Sequence, residues 1–100
     1  MSEQLTIEEF SRNLNTKFKV YRTDEDVFDA ELVEVFELRN DDILYSFSVI
    51  FLLPSEFGFE QRIFKFEHSE LGVLELFIVP IRQTDIGIRY EALFNYVIRE

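Results

Sequence analysis

The chain has 100 residues, enough for one domain with one modest core, and 47% of them are hydrophobic. Twenty acidic residues against ten basic ones leave a formal charge of −10, and there is no cysteine. That balance disfavours nucleic-acid backbones and anionic membrane surfaces, which are bound through Lys and Arg; the missing thiols exclude disulfides, thiolate catalysis and cysteine-based zinc sites.

Twelve Phe and four Tyr supply the means of building the core, and three Gly with two Pro mark a folding rather than a low-complexity chain. The start, Met1-Ser2-Glu3-Gln4, has neither the basic region nor the apolar run of a signal peptide. The longest apolar stretch, residues 49–53, is too short to span a bilayer. A cytoplasmic chain without membrane contact is the expectation.

The first predicted element is a helix. Thr6 followed by Glu9 is a capping box, in which each side chain satisfies the other residue's free backbone N–H. Leu5 and Phe10 make a candidate hydrophobic staple, and Ile7, Phe10 and Leu14 share one face. Glu8 and Glu9 lie favourably at the positive end of the helix dipole. The helix is expected to stop near residues 13–15.

From Thr16 the period changes to two. Lys17, Phe18, Lys19 and Val20 alternate polar and apolar as a half-buried strand does, and residues 23–26 read as a polar turn. The next alternating run, residues 27–38, breaks phase at Leu32 and Val33, which predicts a β-bulge there because one extra residue re-aims every later side chain. Residues 39–42 form a second polar turn, and residues 43–53 a strand with Tyr45, Phe47, Val49 and Phe51 on one parity and serines opposite. Pro54 to Gly58 breaks it, since proline cannot donate to a ladder. Arg62, Phe64 and Phe66 open another strand, residues 68–72 read as a tight reversal, and Leu74, Leu76 and Ile78 alternate up to Pro80. The segment from Gly87 onward fits a strand or a helix face, and its aromatic and β-branched content favours the strand. The fold expected is a single domain over residues 1–100, mainly β: a short N-terminal α-helix followed by about six antiparallel strands, a meander curling into a small barrel or a two-layer sandwich.

The stretch carrying Phe66-x-His68-x-x-Leu71-Gly72, then Leu74-x-Leu76-Phe77-x-Val79-Pro80, then Tyr90-Glu91-Ala92-x-Phe94-Asn95 resembles a family of short bacterial proteins classed only as a domain of unknown function. The opening, Leu5-Thr6-x-Glu8-x-Phe10 then Phe18-x-Val20, is similar to it too, so the likeness spans nearly the whole chain. Ser69 departs from the family pattern, which has Pro after the histidine. Such proteins tend to be encoded near phage-tail-collar-like proteins, and the resemblance therefore implies an accessory or assembly role.

No residue set suggests catalysis. His68 is the sole histidine, with no nucleophile pattern around it, and a histidine at the mouth of a tight turn most simply hydrogen-bonds local backbone. A lone histidine also makes a poor transition-metal site. The acidic clusters, Asp24, Glu25, Asp26 and Asp29 and then Asp41 and Asp42, lack the spacing of a calcium loop and read as solvated turns. No phosphate-binding glycine loop or nucleophile elbow is present. Catalytic, metal and cofactor residues are therefore all expected to be none.

The aromatic surplus is the remaining signal. Phe47, Phe51, Phe64, Phe66, Tyr90 and Phe94 suit the core, whereas Tyr21, Phe36, Phe57, Phe59 and Phe77 are candidates for a second face or for loop tips. Clustered in the open they would form a protein-contact surface; otherwise they build a second small core under the helix. The function expected is a non-enzymatic protein-interaction or assembly domain that binds a partner protein or itself. The alternative is a small barrel that holds an apolar small molecule among its Phe rings.

Overall fold

Alternating Phe and Val positions dictate where each strand turns its side chains, and the architecture follows from them. The computed structural model describes residues 5–98; the chain start at Met1 to Gln4 and the last two residues lie outside them. The elements are helix α1 (Ile7–Ser11), β1 (Lys17–Tyr21), β2 (Val27–Asn40), β3 (Leu44–Leu53), a 3₁₀ turn (Ser55–Phe57), β4 (Arg62–His68), β5 (Gly72–Thr84) and β6 (Gly87–Val97).

The six strands form one antiparallel sheet that closes on itself in the order β1-β2-β3-β6-β5-β4, with β4 returning to β1. It consists of two three-stranded meanders, β1-β2-β3 and β4-β5-β6. They join along a long seam of ten residue pairs between β3 and β6 and a short one of three pairs between β1 and β4. The simple meander expected from the sequence is thus corrected: β3 and β4 are neighbours in the chain but not in the sheet, because β3 finds its second partner in β6. The segment after Gly87 is a strand throughout, Gly87–Val97.

Thr6 caps α1 as its sequence spacing predicts: its hydroxyl accepts the Glu9 N–H while the Glu9 carboxylate accepts the Thr6 N–H. The helix ends after Ser11, so Leu14, expected on the buried face, falls past it and is exposed. The bulge sits where the apolar phase flips: the β2–β3 register shifts between Leu32 and Glu34, leaving Val33 as the extra residue. Leu32 and Val35 can then both turn inward, opposite Phe51 and Val49. A second shift lies between Glu37 and Arg39. Pro80 does not end its strand. The β5–β6 register shifts just beyond it, between Pro80 and Arg82, and the ladder resumes to Thr84 opposite Gly87. Gly87 is obligatory there, since its φ is +149° and an added Cβ would lie 2.3 Å from the Leu53 carbonyl oxygen.

The core is largely aromatic. Phe18, Phe51 and Phe66 meet at its middle, with ring centroids 4.9–6.3 Å apart. One end of the ring is covered by α1, whose Phe10 sits 6.1 Å from Phe47 and 5.2 Å from Phe94. The other end is covered by the 3₁₀ turn, whose Phe57 meets Phe28, Phe64 and Tyr90. Both covers are too short to persist alone and are held by side chains reaching across from the strands. Ile7 N–H points to the Tyr45 hydroxyl, the Arg22 guanidinium donates to the Phe57 carbonyl, and the Tyr90 hydroxyl donates to Gly58 O and accepts from Glu60 N–H.

Candidate functional site

The alternation that fills the inside also fixes what faces out. With Phe47, Val49 and Phe51 inward, Ser46, Ser48 and Ile50 of β3 point outward, and all three are nonetheless buried under the outward side chains of neighbouring strands. Ser48 lies opposite Phe36 of β2 and Leu93 of β6. On β5 the next strand over, Ile78 pairs with inward Ala92, so Leu93 and Phe77 are the following outward positions, and Phe77 pairs with Ile63 of β4. Phe36, Leu93, Phe77 and Ile63, one each from β2, β6, β5 and β4, therefore stand in one row, an apolar ridge that crosses β3 at buried Ser48, with relative exposures of 41, 54, 50 and 58%. Half-buried Val79 continues it on one side. Scattered surface hydrophobes need no explanation, but large side chains in cross-strand register do.

Charge lines this ridge. Glu91, on the same face, accepts the Ser48 hydroxyl, and Glu34 beside it pairs with Arg89 at 2.8 Å. Exposed Glu75 lies two residues before Phe77 on the same parity, opposite Lys65. The apolar strip is thus bordered by charges of both signs, Glu34, Glu75 and Glu91 with Arg89 and Lys65, on an acidic chain.

The five aromatics singled out from the sequence divide. Phe36 and Phe77 stand on the ridge. Phe59 is exposed as well, in the loop between the 3₁₀ turn and β4, and the register does not place it in the row of the other two. Tyr21 is half-buried in a polar cluster: its hydroxyl donates to Glu67 and the Lys65 ammonium lies over its ring, 4.6 Å from the centroid. The bond to the Glu67 carboxylate, then burial, raises its pKa. Phe57 is corrected outright, being 1% exposed and part of the core. The chain turns back on itself at Pro54, and Arg22 grips the Glu56 and Phe57 carbonyls, which aims the ring at Phe28 rather than at solvent. Ile63 and Leu93 belong to the ridge but are aliphatic, so the aromatic surplus does not mark them. The signal for them is apolar occupancy of both parities, as in Leu76-Phe77-Ile78 and Ala92-Leu93-Phe94.

The polar candidates sit in structural roles. Asp26 is paired with Arg22 at 2.6 Å and Asp29 with Lys19 at 3.3 Å. The Asp41 carboxylate accepts the Ile43 and Leu44 N–H groups and faces Arg39, and these contacts lower its pKa to about 2. His68, buried beside the Phe18 ring, has both nitrogens engaged. Nδ1 accepts the N–H groups of Glu70 and Leu71 within the β4–β5 turn. Nε2 lies 3.0 Å from the Thr16 hydroxyl. Its burial lowers the pKa, and the nearby Glu70 carboxylate draws it partly back. An open hollow of about 480 Å³ beside it is lined by Lys17, Lys19, Glu67, His68 and Ser69. Among the described residues no three His, Asp or Glu side chains come together in a way that could hold a metal ion, and no helix is long and apolar enough to cross a membrane.

Fold and surface together define a small closed antiparallel β domain with a capped helix and an apolar outer ridge. The chain belongs to the family described as Domain of unknown function (DUF6916), which matches residues 5–94. No curated protein and no solved structure matches it.

Proposed function

We propose that the chain is a non-enzymatic protein-interaction domain that presents its outer ridge to a partner protein. One observation carries the reading: Phe36, Leu93, Phe77 and Ile63 are aligned across the sheet and open to solvent, where the inner face already suffices for the core. The chain's net charge of −10 favours a partner whose contact face is apolar with a basic rim over a second copy of the chain, which would carry the same charge. The resemblance to short proteins encoded near phage-tail-collar-like proteins fits an accessory or assembly role of this kind. The apolar-ligand reading gains no support from the interior, where the rings meet one another at van der Waals spacing.

The test compares wild type with a Phe77→Ser/Leu93→Ser variant in capture from source cells and in sedimentation over protein and salt concentration series. A partner lost specifically by the variant, with the far-UV spectrum and melting temperature retained, supports the ridge. Equal capture by both chains would remove it, and ridge-dependent dimerisation of the isolated chain would replace the basic partner with a second copy.

A further inference from the structure

His68 links the β4–β5 turn to the α1–β1 junction, two parts that the exposed Arg12–Glu70 pair also spans at 3.8 Å. On one side its Nδ1 is the acceptor for two backbone donors, Glu70 N–H at 3.0 Å and Leu71 N–H at 3.3 Å, which makes it part of the β4–β5 turn. An Nδ1 that accepts leaves the ring hydrogen on Nε2, which donates to the Thr16 hydroxyl. Thr16 in turn donates to the Asn13 carbonyl at 2.7 Å, and the Asn13 amide donates to the Glu9 carbonyl at 2.8 Å. Thr16 and Asn15 are also bonded to Leu32 of β2 through their backbones. A continuous chain of hydrogen bonds thus runs from the β4–β5 turn through His68 to the C-terminal end of α1, the element that covers Phe47 and Phe94.

We propose that His68 is a protonation-sensitive clasp: its neutral ring ties the β4–β5 turn to the α1–β1 junction, and a proton on Nδ1 releases that tie. A protonated Nδ1 becomes a donor facing two N–H donors, so the turn amides lose their acceptor and the ring must leave its place. The charged groups facing it offset the cost of the buried cation only in part. From the turn comes Glu70, already drawn toward Arg12 of the helix end at 3.8 Å; from β4, Glu67, bonded to Tyr21; from β1, Lys17 and Lys19, which oppose a further positive charge. The aromatic face of Phe18, 4.2 Å away, accepts either form. Burial holds the folded ring below its ordinary range. The clasp's contribution is therefore complete above about pH 6.5 and is lost as pH falls through the folded midpoint.

The chain has a single histidine, so the ring protons in an NMR titration of the untagged full chain report on His68 alone. The expected result is a midpoint below about 6.5, with protection of the Glu70 and Leu71 amides falling at least about tenfold across that same midpoint while amides in the β3–β6 ladder stay protected. His68→Asn keeps a turn acceptor without a titrating charge, and its amides are expected to hold steady over this range. In Thr16→Val the turn still responds to the ring, but signals of Asn13 and the Phe10 ring no longer follow it. A midpoint at or above 6.5, turn amides that ignore the ring's titration, or the same fall in His68→Asn would each overturn the clasp. The wild-type titration alone decides the first two.

Discussion

The inner and outer faces of the ring use the same kinds of side chain to different ends. Inside, Phe18, Phe51, Phe64 and Phe66 are fully buried, and each ring finds others in tilted or edge-to-face contact. Outside, Phe36, Phe77, Leu93 and Ile63 stand in register yet expose about half their surface. Strand parity, not residue type, separates the two sets. A side chain that stabilises by leaving water and one that remains in water differ by one position in the chain.

That contrast can be broken by substitution. Phe66→Ala removes a ring packed on Phe18 and Phe51 and is expected to cost about 3–5 kcal/mol, a large share of the roughly 5–15 kcal/mol typical of such a domain, as read by urea unfolding. Tyr90→Phe keeps the ring against Phe57 but strands the Gly58 carbonyl and the Glu60 N–H, so a loss of about 1–2 kcal/mol is expected in the same assay. Leu93→Ser and Ile63→Ser on the ridge should stay within about 0.5 kcal/mol of wild type. A loss there approaching that of Phe66→Ala would mean that the outer row is structural after all.

How much of this was legible in the sequence depends on how local the cause is. The Thr6–Glu9 cap and the Leu32–Val33 bulge were legible, because a cap spans one turn and a bulge shows as a flip of apolar phase. The partnership of β3 with β6 was not, since a strand's pattern states which face is buried but not which neighbour buries it. Phe57 misled for a related reason: beside a proline and a glycine it reads as a loop tip, and the residue that folds it inward, Arg22, is 35 positions away. His68 was half legible. Its bonds to its own turn follow from sequence neighbours, whereas the Thr16 contact spans 52 positions. The ridge was glimpsed in Phe36 and Phe77 and incomplete without Ile63 and Leu93, whose alignment appears only once the registers are known.

The unequal seams of the ring bear on how the chain reaches its structure. Hairpins β1-β2, β2-β3, β4-β5 and β5-β6 are each local, and the ten-pair seam then docks the two meanders. The three pairs Lys19 with Glu67, Val20 with Phe66 and Tyr21 with Lys65 have the fewest ladder bonds of any junction and span long sequence separation. The β3–β6 seam closes loops of similar length but has more pairs to offset that cost, so the β1–β4 junction is expected to form last and open first. The molecule is accordingly two half-shells joined along one ten-pair seam and closed by a second seam three residues long.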